Sequence, residues 1–436
     1  MSEASEVVFI EGGRVIDPAS GLDAARTVVL RGGRVAEVAE RVERPRDARA
    51  IDARGRWVTP GFIDAHVHLR EPGQEYKETV ETGARAAVAG GFTSVLAMPN
   101  TVPPNDSVAV TQLVLDRAAR AGLARVYPVG CISKGQKGEE LAEMGELFQA
   151  GCVAFSDDGK PVSSSGLMRR ALEYARTFGA PLAVHEEDLQ LVGKGVMNEG
   201  PAATRLGLKG NPAQAEEVMV SRDVALAELT GGRLHVCHLS TAGAVRAVRD
   251  AKARGLRVTA EVAPHHLALT DDDVARSGYD TDFKMAPPLR SEADRAAVQA
   301  ALADGTIDCI ATDHAPHTAV EKALEFDQAL NGIIGLETAF PVCLALVRAG
   351  KLTERRLIEA LTAAPARIFG LPGGTLAAGA PADVAILDPG AEWRCDPERL
   401  HSKSRNTPWK GTSMIGRCTH ALVGGNLVYE LARGER

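Results

Sequence analysis

A chain of 436 residues, 45% of them apolar, has enough sequence to bury one large core and carry a smaller module beside it. Its net charge of −7 comes from 50 basic and 57 acidic residues with no basic run and no stacking-aromatic motif, so nucleic acid is not an expected partner. No uninterrupted apolar stretch would span a bilayer, and the acidic start Met-Ser-Glu-Ala-Ser-Glu lacks an apolar signal region; the expectation is a cytoplasmic protein with no membrane partner.

The first 58 residues carry Gly-Gly at 12–13 and 32–33 between short Val and Ile runs, a hairpin texture. Beyond them, eight short apolar runs read as strands: 61–68, 92–98, 125–131, 152–156, 181–185, 233–239, 257–263 and 307–312. Between these lie segments with the apolar spacing of surface helices, at 107–121, 138–150, 165–179, 213–230, 241–254 and 291–304. Repeated β-α order implies parallel strands, and eight units close into a barrel. Residues 381–389 and 419–429 are again strand-like, with Gly-Gly-Asn at 424–426. The expected fold class is α/β: a (β/α)8 TIM-type barrel over 59–370, with a small β-sandwich domain built from both termini, 1–58 and 371–436. Seven scattered cysteines with no C-x-x-C spacing are expected to be free thiols.

Catalytic groups on such a barrel gather at the C-terminal ends of the strands. His66 and His68 sit two apart at the end of the first, and a strand turns alternate side chains to one face, so both imidazoles can reach one metal ion. Asp158 in Phe-Ser-Asp-Asp-Gly, His185 in Ala-Val-His, His238 in Val-Cys-His-Leu and Asp313 in Ala-Thr-Asp-His end four further runs. Four imidazoles and two carboxylates suit zinc or a similar divalent ion and are too many for one tetrahedral site. Two ions are therefore expected, with Asp158 bridging, His66, His68 and Asp313 on one ion, and His185 and His238 on the other. Paired metals generate hydroxide near neutral pH and clamp the oxygens of a hydrolytic transition state. His235, His265, His266, His314, His401 and His420 are expected to be structural, and the Gly-Gly pairs to be turns, since no phosphate-binding loop follows a strand.

With Pro-Gly-Phe-Ile-Asp-Ala-His-Val-His-Leu-Arg-Glu-Pro-Gly at 60–73, Met-Pro-Asn-Thr at 98–101, Phe-Ser-Asp-Asp-Gly at 155–159, Ala-Thr-Asp-His-Ala-Pro-His at 311–317 and Gly-Leu-Glu-Thr at 335–338, the chain resembles the amidohydrolase superfamily over nearly its full length, and within it bacterial dihydroorotases with aspartate at the fourth strand. The resemblance selects Asp158 over Asp157 as the bridge. It implies reversible conversion of L-dihydroorotate and N-carbamoyl-L-aspartate in pyrimidine synthesis, with Asp313 also shuttling a proton. It further implies that Arg70, Asn100 and His317 form a pocket for the substrate carboxylate. Related hydantoinases and allantoinases bridge their metals with a carboxylated lysine, which this strand lacks; Lys160 follows the turn too late. Where many relatives carry Asn, this chain has Ala286, and Asn331 precedes Gly332 where relatives often carry Phe or Pro. A substrate-binding amide is expected to have moved between loops, making Asn331 and Gly332 substrate contacts. The loop from His317 to Asn331 is the lid candidate. For assembly, the resemblance leaves open a homo-oligomer and a complex with aspartate transcarbamoylase. Two other functions remain: a hydantoinase-like or allantoinase-like amidase, and an inert scaffold of the transcarbamoylase, which would have lost metal ligands.

Overall fold

The computed structural model, which describes residues 7–45 and 48–432, lays eight parallel strands side by side in chain order. They are Phe62–Val67, Phe92–Ala97, Arg125–Gly130, Ala154–Phe155, Leu182–Val184, Leu234–Val236, Val258–Val262 and Cys309–Ile310. The first and last edges meet just beyond the final strand. Val67 bridges His314, His68 N–H donates to the His314 carbonyl at 2.9 Å, and the buried Asp64 carboxylate accepts from the amides of His66 and Thr312 at 3.1 and 3.0 Å. Burial raises Asp64 to about 7.

Small residues fill much of the barrel interior: Ala65, Ala154, Ala183, Cys237, Cys309 and Ala311 pack with Ile63, Leu96 and Val129, and the helix Ala363–Phe369 contributes Ile368 and Phe369 to the same cluster. Larger side chains such as Phe62, Val95 and Phe155 instead belong to the cluster that includes the outer helices. Those helices start where the sequence supplies caps; Ser164, Thr241 and Ser291 each accept from a first-turn amide, worth about 1 kcal/mol apiece.

Several expected elements are shorter than the sequence suggests; the runs at 233–239 and 307–312 are regular strand only at Leu234–Val236 and Cys309–Ile310. Of 138–150, only Met144–Ala150 is α-helical, preceded by a 3-10 turn at Lys134–Gln136. Gly138 has φ 68 and its amide bonds the Ser133 hydroxyl, while Ser133 bridges Leu141, so the segment folds back as a loop. The strand expected over 152–156 is regular only at Ala154–Phe155, because the chain turns off the ladder into the Asp-Asp-Gly loop.

The terminal pieces form one hydrogen-bonded eight-stranded sheet. Its order is Asn426–Glu430, Ser413–Val423, Val384–Arg394, Trp57–Pro60, Val8–Asp17, Leu22–Arg31 and Arg34–Ala39, with Arg49–Asp52 also pairing Val8–Asp17. Trp57–Pro60 runs antiparallel to Val384–Arg394, joining the two ends over a cluster that includes Ile10, Val28, Val58 and Ile386. Gly32-Gly33 and Gly424-Gly425 make two-residue hairpin turns with positive φ at both positions. Gly12-Gly13, expected to be a turn, is a bulge inside Val8–Asp17. Gly12 has φ 77, the conformation that lets one extra residue leave the ladder without ending the strand. All seven cysteines are free and buried. No helix among the described residues is long and apolar enough to cross a membrane.

Candidate metal centre and active site

All six expected ligands meet at the C-terminal mouth of the barrel, each at most 5% exposed. Asp158 lies among them. Its Oδ1 is 3.3 Å from His66 Nε2, 3.6 Å from His238 Nε2 and 3.7 Å from His185 Nδ1, and its Oδ2 is 3.5 Å from His68 Nε2. Asp313 Oδ1 closes the other side, 3.1 Å from His68 Nε2 and 3.5 Å from His66 Nε2. Donor atoms fall into close groups of three: His66, His68 and Asp158; His66, His238 and Asp313; Asp158, His185 and His238. His66 Nε2 and Asp158 Oδ1 are buried with no hydrogen-bond partner. A buried polar atom left that way is costly; a divalent cation between these donors satisfies both, so the donor set fits a metal centre. Burial opposes the charge on Asp158 and Asp313, but the surrounding imidazoles outweigh it and hold both carboxylates below their usual range.

Backbone conformation at the mouth is unusual. Five described residues other than glycine have positive φ, and three of them are Arg70, His238 and Asp313, at 62, 31 and 48°. Such conformations cost roughly 1–3 kcal/mol each and persist where surrounding packing enforces them. Here they lie on three of the expected functional residues.

Beside the ligands opens a cavity of about 300 Å³ lined by Arg70, Asn100, His317, Ala286 and Asn331. A larger cavity of about 560 Å³ on the terminal sheet, around Trp393 and Arg417, has none of the candidate ligands in its wall. Arg70 is buried, its Nε donating to the Pro316 carbonyl at 3.2 Å, and burial lowers it to about 10. It keeps its charge at neutral pH. His317 Nδ1 faces the Lys77 ammonium at 3.3 Å and its Nε2 donates to the Asn331 carbonyl at 2.8 Å, so both ring nitrogens are engaged within the rim. Burial, reinforced by Arg70, Lys77 and Lys322, lowers His317 to about 3 and keeps it neutral. The Asn100 side chain bonds His68 and Asp158. Gly332 donates to the Lys284 carbonyl and accepts from Lys322 and Asn406, and a Cβ there would come within 2.5 Å of the His317 ring.

The 317–331 segment is fastened: Lys77 pairs with Glu321 at 2.9 Å, and the Lys284 and Lys322 ammoniums bond the carbonyls of Ala329 and Leu330 at 2.6 and 3.0 Å. Sequence reasoning missed two carboxylates around the centre. Glu261 bonds His66 Nδ1 at 2.9 Å and His235 Nε2 at 3.0 Å, and Glu187 lies 3.4 Å from His185 Nε2. A signal for Glu261 was present, since a charged residue within the apolar strand Val258–Val262 demands a buried partner. His66 and His235, the latter expected to be structural, share that role.

Residues 55–244 match the family model described as dihydro-orotase-like. A dihydroorotase from Anaeromyxobacter dehalogenans (strain 2CP-1) is 76% identical over 432 residues, covering 99% of this chain and all of that protein. One from Geotalea daltonii is 55% identical, covering 97% and 99%. Among solved structures, L-hydantoinase (dihydropyrimidinase) from Arthrobacter aurescens superposes with a TM-score of 0.87 at 26% identity, covering 98% of this chain and 96% of that one. A D-hydantoinase from Thermus sp. gives 0.84 at 26% identity, covering 98% and 97%. With one barrel architecture across these enzymes and relatives this similar over nearly its whole length, the chain belongs to the dihydroorotase family of the amidohydrolase superfamily.

Proposed function

We propose that this chain interconverts L-dihydroorotate and N-carbamoyl-L-aspartate in pyrimidine biosynthesis, at a centre that would hold two zinc ions with Asp158 serving both. The observation that carries the reading is the meeting of six ligand side chains beside a cavity walled by a buried, charged arginine. His66, His68 and Asp313 would hold one ion, His185 and His238 the other. Bound there, the ions would activate water near neutral pH and would stabilise negative charge developing on the ring carbonyl oxygen. Asp313 takes the proton of the attacking water at its carboxylate and delivers it to the ring nitrogen as the C–N bond breaks; cyclisation runs the transfers in reverse. Arg70 meets the substrate carboxylate with charged N–H groups in a fixed fork, and Asn100 and His317 belong to the same wall.

Hydantoinases share the fold, so the substrate assignment rests on the cavity wall and on the names of the relatives. It is tested by assaying purified protein on dihydroorotate and on a neutral ring of the same size. Turnover confined to dihydroorotate supports the assignment; equal turnover of the neutral ring overturns it. An inert scaffold is disfavoured because all six ligands are present and converge.

An aspartate bridge needs no carbamate, so activity restored to metal-stripped protein by zinc is expected to be the same with and without bicarbonate. A bicarbonate requirement would reveal a carboxylated lysine in the bridge.

Ala286 and Asn331 line the same cavity, which supports a relocated amide. Asn331→Ala is expected to lower kcat/KM on dihydroorotate by about 1–3 kcal/mol, the cost of an unpartnered ring N–H or C=O in a closed site. Ala286→Asn should recover part of that loss in the double variant, a non-additive result. A harmless Asn331→Ala would sink the idea.

A further inference from the structure

The tautomer of each ligand histidine has to be set by something. A neutral imidazole carries one N–H, and it can offer a lone pair to a metal only when that hydrogen sits on the other nitrogen. In this centre His66 and His68 turn Nε2 inward, while His185 turns Nδ1 inward. The outward nitrogens of these three each have a partner, whereas His238, whose Nε2 faces Asp158, has none at its buried Nδ1. His66 Nδ1 is held by Glu261 at 2.9 Å, deep in the barrel. His68 Nδ1 lies 2.8 Å from Asn100 Oδ1, and the same amide donates through Nδ2 to Asp158 Oδ2 at 3.2 Å. His185 Nε2 lies 3.4 Å from Glu187 Oε2, whose other oxygen accepts from Asn211 Nδ2 at 2.8 Å.

The orientation of the Asn100 amide is chemically forced. His68 must donate from Nδ1 if Nε2 is to ligate, so it requires the amide oxygen. Asp158 is an ionised acceptor, so it requires the amide N–H. One side chain therefore ties a terminal ligand to the bridging ligand. Glu187 gives His185 the carboxylate–imidazole pairing that Glu261 gives His66, and nothing in the ligand set itself supplies either contact.

We propose that Asn100 and Glu187 are positioning residues of the metal centre, Asn100 fixing His68 against Asp158 and Glu187 fixing His185. This rests on the ligand assignment above. It differs from a role confined to the substrate carboxylate, because it places the effect of Asn100 on metal affinity as well as on turnover.

Zinc affinity of the purified protein, measured by competition with a chromophoric chelator, separates the two. Removing an outer partner of a metal ligand typically weakens metal binding by about 10–100-fold. Asn100→Ala and Glu187→Ala are each expected to fall in that range and to lower kcat. Glu187→Gln is expected to stay within about threefold of the unaltered protein, because its amide oxygen can still accept from His185 and its N–H can donate to Asn211 once the Asn211 amide turns over to present Oδ1, an acceptor now without a partner. Circular dichroism on each variant checks folding, and the Gln variant preserves volume should an Ala variant fail to fold. If Asn100→Ala and Glu187→Ala bind zinc as tightly as the unaltered protein, with Asn100→Ala changing only KM for dihydroorotate, the proposal is wrong and Asn100 serves the substrate alone. Failure of the unaltered protein to compete for zinc would instead overturn the ligand assignment itself.

Discussion

Replacing Asp158 with Ala is expected to remove metal and activity together, whereas replacing its neighbour Asp157 should leave the metal in place. The two carboxylates leave the same turn and do different work. Asp158 lies within 3.7 Å of ring nitrogens on four histidines, drawn from both halves of the expected ligand set. Loss of bound metal would forfeit several kcal/mol of charge stabilisation, corresponding to a fall in kcat/KM on the order of 10³-fold or more. Asp157 points away, accepting from the amides of Ile132 and Ser133 at 2.9 and 3.1 Å and from the Ser133 hydroxyl, which pins the loop after the third barrel strand. Asp157→Ala leaves those buried donors unpaired and should cost about 2–3 kcal/mol of stability. Metal analysis and thermal unfolding on the two variants would read the contrast directly. An Asp157 variant that lost its metal while the Asp158 variant kept it would mean the bridge had been assigned to the wrong residue.

Arg70→Ala is expected to cost roughly 1.5–3 kcal/mol in kcat/KM on dihydroorotate, about 10- to 150-fold, with metal content unchanged. The guanidinium is buried yet remains charged at neutral pH, because Asp313, Asp158, Glu321 and Glu78 oppose the effect of burial. A buried cation beside the reacting centre favours an anionic substrate, and removing it should narrow the preference for dihydroorotate over a neutral ring. Backbone strain does not confuse the comparison, since Ala tolerates φ 62 no worse than Arg does. Arg70→Lys should restore only part of the loss, as an ammonium lacks the two-pronged geometry. Normal efficiency in Arg70→Ala would place the carboxylate elsewhere.

Much of this centre was legible from the sequence because barrel chemistry is written at strand ends. Period-two spacing in Phe62–Val67 paired His66 with His68, and short apolar runs ending in His or Asp marked the rest. Choosing Asp158 over Asp157 needed the resemblance, because adjacent carboxylates in a turn have no periodicity to separate them. What the sequence hid was which distant segments touch. Asn100 to Asp158 spans 58 residues and His66 to Glu261 spans 195, and no local pattern encodes such separations. The bulge at Gly12-Gly13 was hidden for a related reason: the same dipeptide makes a turn or a bulge depending on whether the partner strand continues past it, as Leu22–Arg31 does here.

The most direct test of the paired centre is to titrate metal-free protein with zinc while following hydrolysis of dihydroorotate. Activity absent without metal and rising until two equivalents are bound is the expected result. Full activity in the metal-free protein, or a plateau at one equivalent with the second ion leaving the rate unchanged, would contradict a centre in which Asp158 joins two working ions.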